Sequence, residues 1–135
     1  MSRIFICSLK YHPGLYKEII LLAKEFSKFG QTYTIISKGY KNSFNNSTTK
    51  NFFLTNGIGI KGMLIDIVNF PFDFIKLFRL TKSNSKKNFF IFYNPHPLNW
   101  IYSIFINLLI KNSQVCTVLH EPYKSTEERF KYGLP

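Results

Sequence analysis

The sequence predicts an α/β fold: a doubly wound, mainly parallel sheet with strand order near 3-2-1-4-5 and helices on both faces. Two observations carry this. The apolar period switches repeatedly between short β-rich runs and helical spacing, giving the order β-α-β-β-α-β-α-β. The runs expected as strands one, four and five are apolar at consecutive positions, which marks strands buried on both faces of a parallel sheet. The chain has 135 residues, the size of one domain, and can bury roughly two-thirds of its unfolded surface. Residues 1–135 are therefore read as a single domain.

The elements follow in order. Residues 3–9 (RIFICSL) form the first strand, stopped by the loop Lys10-Tyr11-His12-Pro13-Gly14. Leu15, Ile19, Leu22, Ala23 and Phe26 then fall at helical spacing, with Lys17, Lys24 and Lys28 on the other face and Gly30 as the expected helix stop. Residues 32–37 (TYTIIS) read as the second strand and 51–54 as a short third one, separated by an Asn/Ser/Thr-rich loop. The spacing Gly57-x-Gly59-x-x-Gly62 follows the third strand rather than the first, so it reads as a lead into a helix and not as a dinucleotide cradle. That aromatic helix is expected over 63–80, with Pro71 kinking or splitting it. Residues 89–93 (FFIFY) form the fourth strand, a further apolar helix runs to about 110, and 115–119 (VCTVL) form the fifth strand. With only a charged stretch after it, the fifth strand is expected to be an open edge that leaves the isolated chain prone to association.

The composition excludes several classes. A hydrophobic fraction of 45% and an aromatic fraction of 18% exclude disorder. Two cysteines without a Cys-x-x-Cys spacing exclude a disulfide scaffold and a zinc ribbon, and Cys7 and Cys116 both fall in strand runs where a buried thiol is expected. Net charge is +11, but lysine supplies 15 of the 18 basic residues, and Ala23 is the single alanine. Such a composition suits A/T-rich codons better than a phosphate-reading surface, which favours arginine. No nucleic-acid partner is expected; an anionic membrane surface is the alternative partner for the charge. The nearly apolar run 100–110 is about half of what a spanning helix needs. With no secretory signal, the expected location is the cytoplasm, with peripheral attachment to the inner face of the membrane as a variant.

In a doubly wound sheet the ligand site lies beyond the C-terminal strand ends. His12, His96 and His120 follow strands one, four and five, so all three belong to that edge. Gly14, before the first helix, would let a phosphate approach backbone N–H groups. Asn94, His96 and Asn99 offer hydrogen bonds suited to hydroxyls, although Asn99 could equally be a helix N-cap. His120 and Glu121 put an imidazole and a carboxylate at a strand end. A three-histidine metal site lacks supporting partners, so neither metal nor resident cofactor is expected.

The segment YHPGLYKEIILLAKEFSKFGQTYTIIS, the loop NPHPLN and the stretch VLHEPYKS together resemble the N-terminal domain of family 4 glycosyltransferases. That resemblance implies one half of the GT-B fold, two Rossmann-like domains facing across a cleft. It implies sugar transfer from a nucleotide-sugar donor to a carbohydrate or lipid-linked acceptor, as in polysaccharide biosynthesis. By resemblance, His120 lies close to the transferring sugar as the catalytic-site residue and Gly14 abuts the donor phosphate. His12, Asn94, His96, Asn99, Glu121 and Lys124 would then line the acceptor side. The donor domain, with its basic pair and Glu-x7-Glu motif, is not represented, so the chain is expected to be inactive alone and to need a separate C-terminal half. The rival readings are a non-catalytic partner subunit or remnant and, further off, a metal-dependent hydrolase.

Overall fold

The computed structural model of the chain describes residues 2–9, 16–42, 44, 49–56, 59–82, 86–93 and 96–118. Five strands form one sheet: β1 (Arg3–Ser8), β2 (Gln31–Ser37), β3 (Lys50–Thr55), β4 (Asn88–Tyr93) and β5 (Ser113–Val118). Three helices connect them: α1 (Tyr16–Phe26), α2 (Gly59–Thr81) and α3 (Pro97–Leu109). The order across the sheet is β3-β2-β1-β4-β5, and every pairing is parallel. This is the doubly wound, Rossmann-like arrangement that the apolar pattern predicts.

Right-handed crossovers put α1 on one face and α2 with α3 on the other, because the chain winds first towards β3 and then back towards β5. The core accordingly divides in two. Under α2 and α3, Phe5 stacks between Tyr33 and Phe90 at centroid distances of 5.0 and 4.6 Å, and Leu77, Tyr102 and Ile106 close over them. Under α1, Ile4, Ile6 and Ile36 pack against Ile19 and Ala23. The single alanine is thus fully buried in the cluster that α1 forms with the sheet. Among the described residues no α-helix joins β2 to β3. A short 3-10 turn, Lys38–Tyr40, is capped by Ser37, whose Oγ accepts from the Gly39 N–H at 3.2 Å. Tyr40 and Phe44, both buried, fill the α1 face where a crossover helix would otherwise lie.

Several local expectations are corrected. Helix α1 stops at Phe26, and Gly30 does not end it in a left-handed turn. A Cβ on Gly30 would stand 2.6 Å from the Ser2 carbonyl oxygen, so glycine is needed there for close backbone approach. Helix α2 begins at Gly59 rather than 63 and runs as one helix with Pro71 inside it. Pro71 is exposed, so its ring meets solvent instead of the sheet. β5 is not buried on both faces: its residues are half-buried or exposed, none fully buried, and Cys116 is exposed while Cys7 is buried. As an edge strand it packs against α3, but among the described residues nothing lies over its α1-side face. Burial on both faces holds for β1 throughout and for β2 from Thr32 to Ser37, whereas β4 alternates between buried and half-buried residues.

Arg3 joins the sheet to the helical layer. Its guanidinium, 4% exposed, donates to the carbonyls of Leu80 at 2.8 Å and Thr81 at 3.0 Å, the last residues of α2. These are carbonyls that a helix end leaves without intrahelical partners, and the positive charge also suits the negative end of the dipole. Replacing Arg3 by Met keeps most of the stem but strands these carbonyls. Urea unfolding of Arg3→Met should show a loss of about 2–3 kcal/mol. Arg3→Lys should recover only part, since an ammonium cannot reproduce the two-pronged geometry.

Candidate functional site

β1 and β4 are neighbours and run parallel, yet the helices leaving them go to opposite faces. The strands stay paired to Cys7 and Phe92, and α1 and α3 stand on opposite sides of their C-terminal ends, which makes this the crevice position where such sheets bind ligands. Two groups of described residues border it.

The first is the start of α3. His96 is its N-cap, in extended conformation at φ −147° and ψ 139°, with Pro97 in the first turn. The Leu98 N–H donates to His96 Nδ1 at 3.2 Å, and the Asn99 N–H donates to the His96 carbonyl at 2.9 Å. An imidazole that accepts at Nδ1 carries its proton at Nε2, which makes Nε2–H the donor of this ring. Asn99 is thus not the cap but a residue of the first turn, 4% exposed, whose carbonyl accepts from Ser103 Oγ at 2.6 Å. His96 and Asn99 are both buried and adjoin one another at the helix N-terminus, as the sequence places them.

The second group was not foreseen from sequence. Tyr93, the last residue of β4, donates its hydroxyl to Glu18 Oε2 at 2.6 Å, and Glu18 sits in the first turn of α1. The pair bridges the two elements that flank the crevice. Partial desolvation, and then the hydrogen bond and charge of Glu18, push the Tyr93 phenol up to about 12. The acid itself was visible in the sequence as a favourable charge at a helix start. Its partner was not, being 75 residues away.

Next to the crevice the strand ends are tied together by hydroxyls and a carboxylate. Thr55 Oγ1 donates to the Leu9 carbonyl at 2.8 Å, and Ser37 Oγ donates to the Asn56 carbonyl at 2.6 Å. Asp66 Oδ1 accepts from the Asn56 N–H at 2.6 Å, fixing α2 to the end of β3. Asp73 lies two turns further along the same helix and is also buried. Burial pushes its carboxyl above the usual range, opposed by Lys76 and Lys38, while the charge of Asp66 adds to the rise. Their seven-residue spacing within one helix is the sequence signal that could have placed both on a single inner face.

His12, Gly14, Asn94, His120, Glu121 and Lys124 lie outside the described residues, so of the predicted site only His96 and Asn99 are brought together here. Among the described residues no group of three His, Cys, Asp or Glu side chains could hold a metal ion, and two of the three histidines weighed for one fall outside them. A separate apolar groove of about 760 Å³ lies between α1 and the uncovered surface of β4 and β5, lined by Leu22, Phe26, Phe89, Ile91 and Cys116. Its lining carries no acid or base; its polar groups are the Cys116 thiol, the Ser113 hydroxyl and the amides of Asn107 and Gln114. Comparison with protein families, curated proteins and solved structures found no match to this chain, so the fold assignment rests on its topology.

Two outcomes test the site geometry. His96→Ala should cost about 1 kcal/mol in denaturant unfolding, and His96→Asp or His96→Asn should restore most of it by capping the same N–H. The raised Tyr93 phenol holds its proton in the folded state beyond the ordinary value of 10.0, so its stabilising contribution is present below pH 10 and fades up to about 12. Ultraviolet titration of the folded protein should show one late-ionising tyrosine from this source, and Glu18→Gln should move it earlier.

Proposed function

We propose that this chain is the acceptor-side domain of a GT-B glycosyltransferase of family 4, acting with a C-terminal donor domain. One observation supports the reading most. A parallel sheet in the order 3-2-1-4-5 opens a crevice at the ends of β1 and β4, and polar, buried side chains border it where the NPHPLN loop enters α3. A Rossmann-like half-domain of this kind is compatible with nucleotide binding and group transfer. The resemblance in the three loops narrows that to sugar transfer.

In this reading the acceptor lies against His12, Asn94, His96, Asn99, Glu121 and Lys124. His96, held as a cap with its proton on Nε2, donates to an acceptor hydroxyl rather than removing its proton. His120 hydrogen-bonds the donor sugar, and Gly14 admits the donor phosphate to the N-terminus of α1. Charge developing on the departing diphosphate is met by cationic groups of the donor domain, where electrostatic stabilisation contributes most to the rate. No general base is assigned within this chain.

The test is a transfer and donor-hydrolysis assay over nucleotide hexoses, run with the chain alone and with a donor-domain partner. The chain alone should turn over nothing. With the partner, His120→Ala should lower transfer by about a hundredfold or more. Amide NMR of the chain with acceptor oligosaccharides should shift Tyr93, His96 and Asn99. Unaided turnover would overturn the half-enzyme reading, and acceptor shifts confined to the groove around Cys116 would overturn the site.

A further inference from the structure

The outer surface of α2 reverses the usual amphipathic plan. Its two acids, Asp66 and Asp73, point into the protein and are 3% and 5% exposed. The outward stripe is instead Lys61, Ile65, Val68, Phe72, Ile75 and Arg79, spaced four and three residues apart, so these side chains line one face. Val68 and Phe72, at its centre, are 73% and 68% exposed. Beside it, α3 presents Trp100, Ile104 and Leu108 at four-residue spacing, with Trp100 77% exposed. The helices touch through Phe70 and Phe74 against Phe105, so the two stripes lie side by side on one face of the sheet. Apolar surface on this scale marks an interaction site rather than ordinary solvent exposure.

Among the described residues the charges around it are of one sign. Lys61 and Arg79 stand at the two ends of the α2 stripe, Lys82 follows α2, and Lys111 follows α3. Lys76 reaches back to Asp73 at 3.6 Å. The remaining described acids, Glu18 and Glu25, belong to α1 on the opposite face of the sheet. A second copy docked here would set cation against cation, whether its α2 ran parallel or antiparallel, with no acid among the described residues of the face to answer them. A surface both apolar and anionic answers both features. No helix among the described residues is long and apolar enough to cross a membrane.

We propose that the outer face of α2 and α3 is a docking surface for an anionic lipid bilayer. Val68, Phe72, Ile75, Trp100 and Leu108 enter the acyl boundary, and Lys61, Arg79 and Lys82 meet the headgroups. The helices lie in the membrane plane, and the sheet stands on them with α1 facing away. This surface is independent of the sugar-transfer reading and would stand if that reading failed.

Flotation with vesicles of phosphatidylcholine alone, or mixed with phosphatidylglycerol, tests it at low and high salt. The chain should partition to the mixed vesicles, at least tenfold more weakly to phosphatidylcholine alone, and less at high salt. Lys61→Gln, Arg79→Gln and Lys82→Gln together should weaken binding on the order of a hundredfold, about fivefold per charge. Val68→Ser with Phe72→Ser and Trp100→Ser should abolish it. All of these side chains are exposed, so an unchanged thermal melt confirms that the variants fold. Absence of partition to the mixed vesicles, or partition unmoved by both sets of substitutions, overturns the proposal. So does a salt-insensitive dimer that the serine variant disperses without any vesicle binding.

Discussion

The position of β1 governs the rest of the molecule. It is hydrogen-bonded to β2 on one side and β4 on the other, and all six of its residues are buried. Both of its ends are also fastened to other elements. At the start, Arg3 holds the last carbonyls of α2; just past the end, the Leu9 carbonyl accepts from Thr55 of β3. A strand fixed in this way leaves no choice of register to its neighbours. A one-residue slip would turn Phe5 out of its stack with Tyr33 and Phe90 and carry Ile4 and Ile6 into the wrong layer. The crevice follows from the same strand, because it exists only where β1 and its neighbour β4 send their helices to opposite faces.

The sheet was legible in the sequence because β-rich runs with consecutive apolar residues mark covered strands: β1, within RIFICSL, is buried throughout, while β4, within FFIFY, alternates between buried and half-buried. The same rule misread VCTVL. An edge strand can carry that pattern too, and what lies over it is decided by topology and not by its own residues. Cys116 was misplaced for the same reason. At the site, the sequence offered Asn99 as a possible cap of α3, and the cap is instead His96. Asparagine is the better capping residue by chemistry, and the extended backbone at His96 is what decides against it. The Tyr93–Glu18 pair was illegible for a different reason: its partners meet only after the sheet has formed.

Helix α2 shows how polar groups were distributed between holding the fold and facing outward. Asp66 anchors the helix to the end of β3, and Arg3 closes its far end. Charges that most helices turn to solvent are here used as internal fasteners, and the apolar residues they displace come to lie outside. The arrangement does not weaken the core beneath, where Phe74 and Leu77 still reach the stacked rings.

The absence of any antiparallel pairing in the described sheet has a consequence for how the chain is made. A hairpin can form as soon as its two strands have been synthesised, but a parallel pair must wait for the whole connection between them. Arg3 pairs with Gln31 on one side and with Asn88 on the other. A ribosome extending this chain therefore exposes β1 first and completes its second side only after α2 has emerged. Until β4 follows, the strand destined for the centre of the sheet keeps one open apolar edge. Its protection during that interval falls to α1 and β2, the first elements able to cover it.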